Sequence, residues 1–365
     1  MKVTIKIISK IIIAVVFIFS GFVKCVDPTG TAIKMEEYLL AFGIDFMIPL
    51  SLGLSILMCG AEMLVGIMLL LNLKIKWAIW ITIALMVFYT PLTLWLAISN
   101  KVTDCGCFGD ALVLTNWQTF LKNVVLDVFI VVLFINRGNF KNLFKPVFQT
   151  AAAVGFALLV TGFEFYNLNH LPVIDFMPYK IGANIPAGMI IPDDAPQAIY
   201  KIIFCYEKNG TRKSFTDKNL PDSTWKFVKR KDRRIQKDYS PPIHDFSIIT
   251  PDNLDVTNKI LSDPGYSYLL IISNFQKANL SHFDEINRIA ESAVSKGYGF
   301  YALTSSVPEE HELFKEKVKA SYPIYLMDET TLKTMIRSNP GLILIKNGTI
   351  IGKWHYKQLK NVKDS

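Results

Sequence analysis

Histidine, cysteine and charge are all in short supply in this 365-residue chain. The five histidines stand singly, none of them before His170, so a zinc centre with its four ligands is not expected. Five cysteines are too few for a disulfide-stapled scaffold, and none follows Cys205. Charged residues make up only 19%, below the roughly 25% of globular chains, which excludes a disordered or fibrous protein and argues against a purely cytosolic enzyme. The net charge of +8 is spread thinly. Residues 1–166 hold 12 Lys+Arg against 9 Asp+Glu, and residues 167–365 hold 27 against 22. Neither half offers a phosphate-binding surface, so no nucleic-acid partner is expected.

What the chain has is apolar length, with 51% hydrophobic residues. Apolar runs lie near residues 7–24, 50–72, 77–98, 119–136 and 146–166. About 20 apolar residues cross a bilayer as a helix, so five spans in a lipid bilayer are predicted. The first run follows Lys2, Lys6 and Lys10 in the manner of a signal peptide, but no small-residue cleavage site comes after it. It reads as a retained helix. Lysines and Arg137 gather before span 1 and in the loops 2–3 and 4–5, while acids dominate the alternate loops. The positive-inside rule then puts the N-terminus in the cytoplasm. Residues 167–365 would lie on the far side, which is the periplasm if the membrane is a bacterial inner membrane.

Beyond the spans, IYKIIFCY (199–206) reads as a strand entering an Asn-Gly hairpin turn. YSYLLIISNF (266–275), GFYALTSS (299–306) and YPIYLMD (322–328) read as buried strands separated by helices over 280–296 and 309–318. A further helix, TTLKTMI, precedes a hairpin turning on Asn347-Gly348. Early parallel and late antiparallel pairing of a mixed α/β sheet follows. Three regions are expected: a transmembrane helical bundle (1–166), a β-rich connecting region (167–240) and an α/β domain (241–365).

The order of elements in that last region, with Asn339-Pro340-Gly341 before LILIKNGTI, resembles the thioredoxin fold. The resemblance implies a cis proline at Pro340, and PPIHDFSI (241–248) looks like the leading strand of peroxiredoxin-type members. There is one departure. Where the family carries Cys-x-x-Cys, this chain reads Asn274 to Leu280 with no cysteine, so Lys277, Leu280 and Pro340 mark a degenerate site. No other side chain in that loop replaces a thiolate in disulfide exchange.

The membrane half resembles the DoxX and MauE families through FIFSGFVKCVDPTGTAIKMEEYL, GAEMLVGIMLLL and DCGCFGD. In MauE-type proteins a loop cysteine pair is associated with disulfide formation or electron transfer. The combination with a cysteine-free thioredoxin-like tail is similar to a group of DoxX-family proteins from Bacteroidetes. Methylamine use, from which the MauE name comes, belongs to the family and is not transferred.

Cys105 and Cys107 flank Gly106 in a loop on the oxidising side. A disulfide between them would close a small, strained ring, and such bonds tend to be labile or catalytic. A static staple, or two thiols packed beneath Phe108 and Trp117, is the plainer reading. Cys25 at the outer end of span 1 and Cys59 within span 2 could relay a disulfide inward, or simply pack. Cys205, in a β-rich run, is expected in the core. Glu62 is an acid inside span 2, three residues from Cys59 and on the same helix face. Such residues face a bundle interior or cavity. Glu62 would accept protons beside a thiol and a quinone pocket, or bond Thr90 or Thr93 on span 3. Asp127 poses the same question without a neighbouring thiol. The basic run Lys226–Lys237 could meet anionic headgroups or a partner, though charge runs usually form solvated loops.

Two functions fit. One is periplasmic thiol–disulfide or electron-transfer chemistry through Cys105 and Cys107, with Cys25 and Glu62 assisting, a quinone-like acceptor, and the tail recruiting a periplasmic protein or dithiol substrate. The other is a non-catalytic membrane-anchored scaffold or assembly factor of the cell envelope.

Overall fold

A computed structural model of the chain describes residues 2–102, 104–140, 144–197, 199–217, 219–236 and 239–362. Lys141 and Lys237, counted above in a loop and in the basic run, lie outside them.

The N-terminal half runs α1 (Lys2–Val26), α2 (Pro28–Phe42), α3 (Ser51–Leu70), α4 (Ile75–Ser99), α5 (Asn116–Ile135) and α6 (Pro146–Asn169). All except α2 are long and apolar enough to cross a membrane, and they coincide with the five apolar runs. The short α2 is set by its ends. Asp27 accepts the Gly30 N–H at 2.8 Å, Pro28 takes the first helical position, and Gly43 ends the helix at φ 70°. Hydropathy gives no sign of it because Glu36, Glu37 and Lys34 interrupt its apolar residues.

Glycine sets the closest helix pair. A Cβ on Gly21 of α1 would stand 2.4 Å from the Met63 nitrogen of α3, and one on Gly66 would stand 2.7 Å from the Ile18 nitrogen. The two backbones therefore touch, and the rising number on one helix against the falling number on the other makes them antiparallel. Around this seam pack Ile13, Phe17, Val65, Leu69, Ile79 and Leu126.

After α6 the chain does not pass directly to the first sheet. Tyr179 and Ile185 bury themselves in the core of the last domain, and Ile185 N–H bonds the Gly348 carbonyl at 2.8 Å. A single turn, α7 (Ile185–Met189), follows. Then β1 (Ile199–Lys208), β2 (Thr211–Thr216) and β3 (Lys226–Gln236) form an antiparallel sheet in the order β2-β1-β3. Asn209 and Gly210 supply the positive φ angles, 51° and 75°, of the expected hairpin turn. Two corrections arise here. The basic run is a strand, not a solvated loop, because pairing with β1 satisfies its backbone whatever the side-chain charge. Cys205 is half-exposed, beside Ser214 at 3.7 Å, and not in a core.

The last domain comprises α8 (Thr257–Leu261), β4 (Tyr266–Ile272), α9 (Phe283–Ser295), β5 (Gly299–Thr304), α10 (His311–Val318), β6 (Ile324–Leu326), α11 (Glu329–Met335), β7 (Gly341–Lys346) and β8 (Thr349–His355). Its sheet has the order β6-β5-β4-β7-β8, parallel among β4, β5 and β6 and antiparallel at β7 and β8. The Asn339-Pro340 bond before β7 is cis, as the resemblance implied. Apolar layers cover both faces of the sheet, which explains the unbroken runs in β4 and β7. The expected leading strand over 241–248 is absent. Pro241, Pro242 and the left-handed Asp245 (φ 58°) break the pairing, and only Ile249 bridges to Leu326 and Asp255. The fold is a five-span helical bundle followed by a thioredoxin-like α/β domain.

Candidate functional site

Asp104, Cys105, Gly106 and Cys107 form a loop between α4 and α5 that is tied down on several sides. Gly106 (φ 62°) and Gly109 (φ 50°) take the left-handed angles the turn requires. The Gly106 N–H bonds the Asp104 carboxylate at 3.0 Å, and Lys34 of α2 pairs with Asp104 at 3.2 Å. Tyr38 of α2 donates to the Cys105 carbonyl at 2.5 Å. Next in sequence, Phe108 is buried against Phe19, under the Lys122 ammonium at 4.5 Å from its ring. Trp117 is exposed, its ring edge-on to Phe120.

The two loop cysteines are unbridged and electrostatically unlike. A hydrogen bond from Cys105, with the ammoniums of Lys122 and Lys24 nearby, holds the Cys107 thiol well below its ordinary range despite burial. The same bond, together with burial, pushes Cys105 well up. Burial and the shared hydrogen bond thus favour the proton on Cys105 and the negative charge on Cys107.

Beneath the loop lies Glu62, almost wholly buried at 2% exposure. Lys24 donates to its Oε1 at 2.8 Å and to its Oε2 at 2.9 Å. Ser20 Oγ stands 2.7 Å from both Glu62 Oε2 and the Cys107 carbonyl oxygen, and its single proton serves one of them at a time. Thr90 and Thr93 do not partner Glu62. Thr90 instead donates to Asp127 at 2.9 Å, which gives that acid a structural role.

A cavity of about 210 Å³ joins these groups. Cys105, Cys107, Cys59, Glu62, Lys24 and Tyr89 all reach it, and most of the remaining wall is apolar. Cys25 does not line it. It lies behind Cys59 in a buried cluster with Val160, its thiol donating to Glu164 of α6 at 3.3 Å. The structure thus brings Cys105, Cys107 and Glu62 together and sets Cys25 one layer away. Sequence reasoning missed Lys24, Ser20, Lys122 and Glu164. For Glu164 the signal was present, since it is an acid inside a span, like Glu62.

The degenerate thioredoxin-like site is separate. Lys277 closes a short turn capped by the Asn274 side chain, and Leu280 opens the next turn. Two hydrogen bonds fasten this loop to the cis-proline loop: Asn339 Nδ2 to the Asn274 carbonyl at 3.1 Å, and Asn279 N–H to the Asn339 carbonyl at 3.0 Å. Among the described residues no cluster could hold a metal ion.

Comparison with known proteins follows the same division. Residues 1–136 match the family model described as methylamine utilisation protein MauE, and residues 200–237 match a domain of unknown function, DUF8463. Protein TlpB of Flavobacterium psychrophilum is 30% identical over 156 residues, which cover 41% of this chain and 42% of that protein. The match therefore spans less than half of the relative's length. The solution structure of a protein from Bacteroides thetaiotaomicron, described as a candidate protein disulfide isomerase, aligns with 33% of this chain and 79% of its own. Identity there is 18% and the TM-score 0.26. The N-terminal region is accordingly similar to the MauE family over residues 1–136, and it is joined to a domain of thioredoxin-like topology in which no cysteine follows Cys205.

Proposed function

We propose that the chain performs thiol–disulfide or electron-transfer chemistry at the membrane through Cys105 and Cys107. One observation supports this reading: the two free loop thiols, one favoured as thiol and the other as thiolate, stand together on a largely apolar cavity that Glu62 and Cys59 also line. A partner dithiol would be oxidised at this pair in the periplasm, with the N-terminus in the cytoplasm. The tail, in which no cysteine follows Cys205, would recruit that partner.

The cavity suits an acceptor of the quinone class. Its walls are mostly apolar, Lys24 offers a cation, and the buried Tyr89 hydroxyl lies near Glu62 without a hydrogen bond of ordinary geometry. When bound, such a ring would take up two electrons and two protons. Glu62 lines the same cavity as Cys107 and Cys59 and would pass protons there.

The competing scaffold reading draws on the cysteine-free thioredoxin-like site. Acid trapping and differential thiol alkylation in intact membranes separate the two. Cys105 and Cys107 are expected to shift between thiol and disulfide as the medium is made reducing or oxidising, and function should vanish in the Cys105→Ser, Cys107→Ser variant. A pair that stays in one state throughout, with function retained in that variant, would leave the scaffold.

A further inference from the structure

The helix seam brings two more cysteines face to face. Gly21 and Met63 meet at backbone contact on antiparallel helices. Cys25 lies four residues on from Gly21, and Cys59 four residues back from Met63. One helical turn along each therefore sets the two opposite one another. Both are fully buried and share one cluster with Val160.

Two further features are hard to explain as packing. Cys25 donates its thiol proton to Glu164 Oε1 at 3.3 Å, and Glu164 is 1% exposed. Glu164 Oε2 has no hydrogen-bond partner, and no ion pair reaches the group, among the described residues. A carboxyl buried in that state is costly to keep for structure alone. On its other side, Cys59 opens onto the cavity that Cys107 also lines.

We infer that Cys25 and Cys59 form a second, buried dithiol–disulfide pair that exchanges with the Cys105–Cys107 pair, with Glu164 as the proton donor and acceptor for Cys25. This rests on the reading of the loop pair as redox-active. In the direction that oxidises the loop, the Cys107 thiolate attacks Cys59 and the Cys25–Cys59 bond breaks. The departing Cys25 sulfur takes the proton of the protonated Glu164. Cys105 then attacks Cys107, the Cys59–Cys107 bond breaks, and the Cys105 proton passes to Cys59. One disulfide forms as one is lost, two electrons move inward, and the exchange consumes no outside oxidant. It needs the cavity clear, so a ring bound there and the exchange are successive events.

The test uses the full chain in membranes, equilibrated in glutathione buffers of graded ratio, acid-quenched, alkylated and read by mass spectrometry. In the wild type Cys25 and Cys59 should oxidise in step with the loop pair and yield a linked Cys25–Cys59 peptide. In Cys105→Ser, Cys107→Ser they should cease to follow the buffer. Cys25→Ser with Cys105→Ser should accumulate the Cys59–Cys107 mixed disulfide. Glu164→Gln should slow the buried pair by about 100-fold and flatten its pH dependence, with partial rescue by Glu164→Asp. If the loop pair cycles while Cys25 and Cys59 remain thiols at every ratio, the buried pair is refuted and the proposed function stands. Oxidation of the buried pair at an undiminished rate without the loop cysteines refutes the relay. A loop pair that never cycles overturns the proposed function and the relay with it. The wild-type measurement decides even if a variant fails to fold.

Discussion

Arg337, three residues before the cis proline, holds both carboxylate oxygens of Asp27 through its Nε at 3.0 and 2.9 Å. Asp27 is at the same time the cap of α2, and Gly30 leaves the room: a Cβ there would stand 2.9 Å from the Arg337 guanidinium. The contact turns the cis-proline face of the thioredoxin-like domain towards the bundle. It also reaches the cysteine loop, where Asp110 feels both Arg337 and Asp27 while burial holds its carboxyl above the usual range. That face is thus held against the loop.

Asp27→Ala would leave the mostly buried Arg337 cation unpaired, which typically costs about 3–5 kcal/mol. Hydrogen exchange should show lost protection at α2 and around residues 337–341. The exchanged pair, Asp27→Arg with Arg337→Asp, should restore part of it. Unchanged protection in Asp27→Ala would mean that the domain is held by other contacts, such as Lys353 with Asp175.

Glu62→Gln should destabilise the bundle by a similar amount, about 3–5 kcal/mol, because the Lys24 charge loses its partner. Replacing both, Lys24→Met with Glu62→Met, should recover thermal stability in detergent without recovering loop-pair turnover. Recovery of both would reduce the ion pair to a structural element.

Cys107 should react with iodoacetamide below the pH at which an ordinary cysteine does, since Cys105 and the ammoniums of Lys122 and Lys24 favour its thiolate. Lys122→Met removes one of those charges and should move the rate-against-pH curve upward. Cys105→Ala should move it further, the hydrogen bond being the larger cause. A curve centred near the usual 8.5 in the wild type would show that the loop does not activate the sulfur.

His355 is buried at the end of β8, where desolvation and then the neighbouring Lys357 push its imidazole down to about 4. The folded state thus refuses a proton that the unfolded chain accepts near 6.5. Its contribution to stability is complete above about pH 6.5 and is lost as pH falls towards 4. Chemical denaturation of the wild type should weaken across that window, and His355→Asn should flatten the dependence. An unaltered pH profile in the variant would assign the acid sensitivity elsewhere.

Gly66→Val would place side-chain atoms against the Ile18 backbone at the α1–α3 seam. Overpacking of this kind typically costs about 1–3 kcal/mol. Thermal unfolding in detergent should register the loss, and Cys25–Cys59 linkage should fall with it. Full stability would show that the two helices can separate without penalty.

The five spans were legible because hydropathy over some 20 residues is a local property, and the α/β order because β4, β5 and β7 are continuous apolar runs. The cis proline could also be read directly, and Cys105, Cys107 and Glu62, singled out in the sequence, line one cavity. What hydropathy and motif could not supply was pairing. Glu62 bonds Lys24 and not a threonine, Glu164 meets Cys25, and Arg337 meets Asp27, since each partner lies tens to hundreds of residues away. The basic run became a strand and Cys205 stayed half-exposed for the same reason: a strand is stabilised by its neighbour, and burial depends on whether another layer covers the sheet. Composition determined the environment and the elements. Tertiary contact decided which acid lies against which sulfur, because packing and not sequence distance sets the neighbours of a buried charge or thiol.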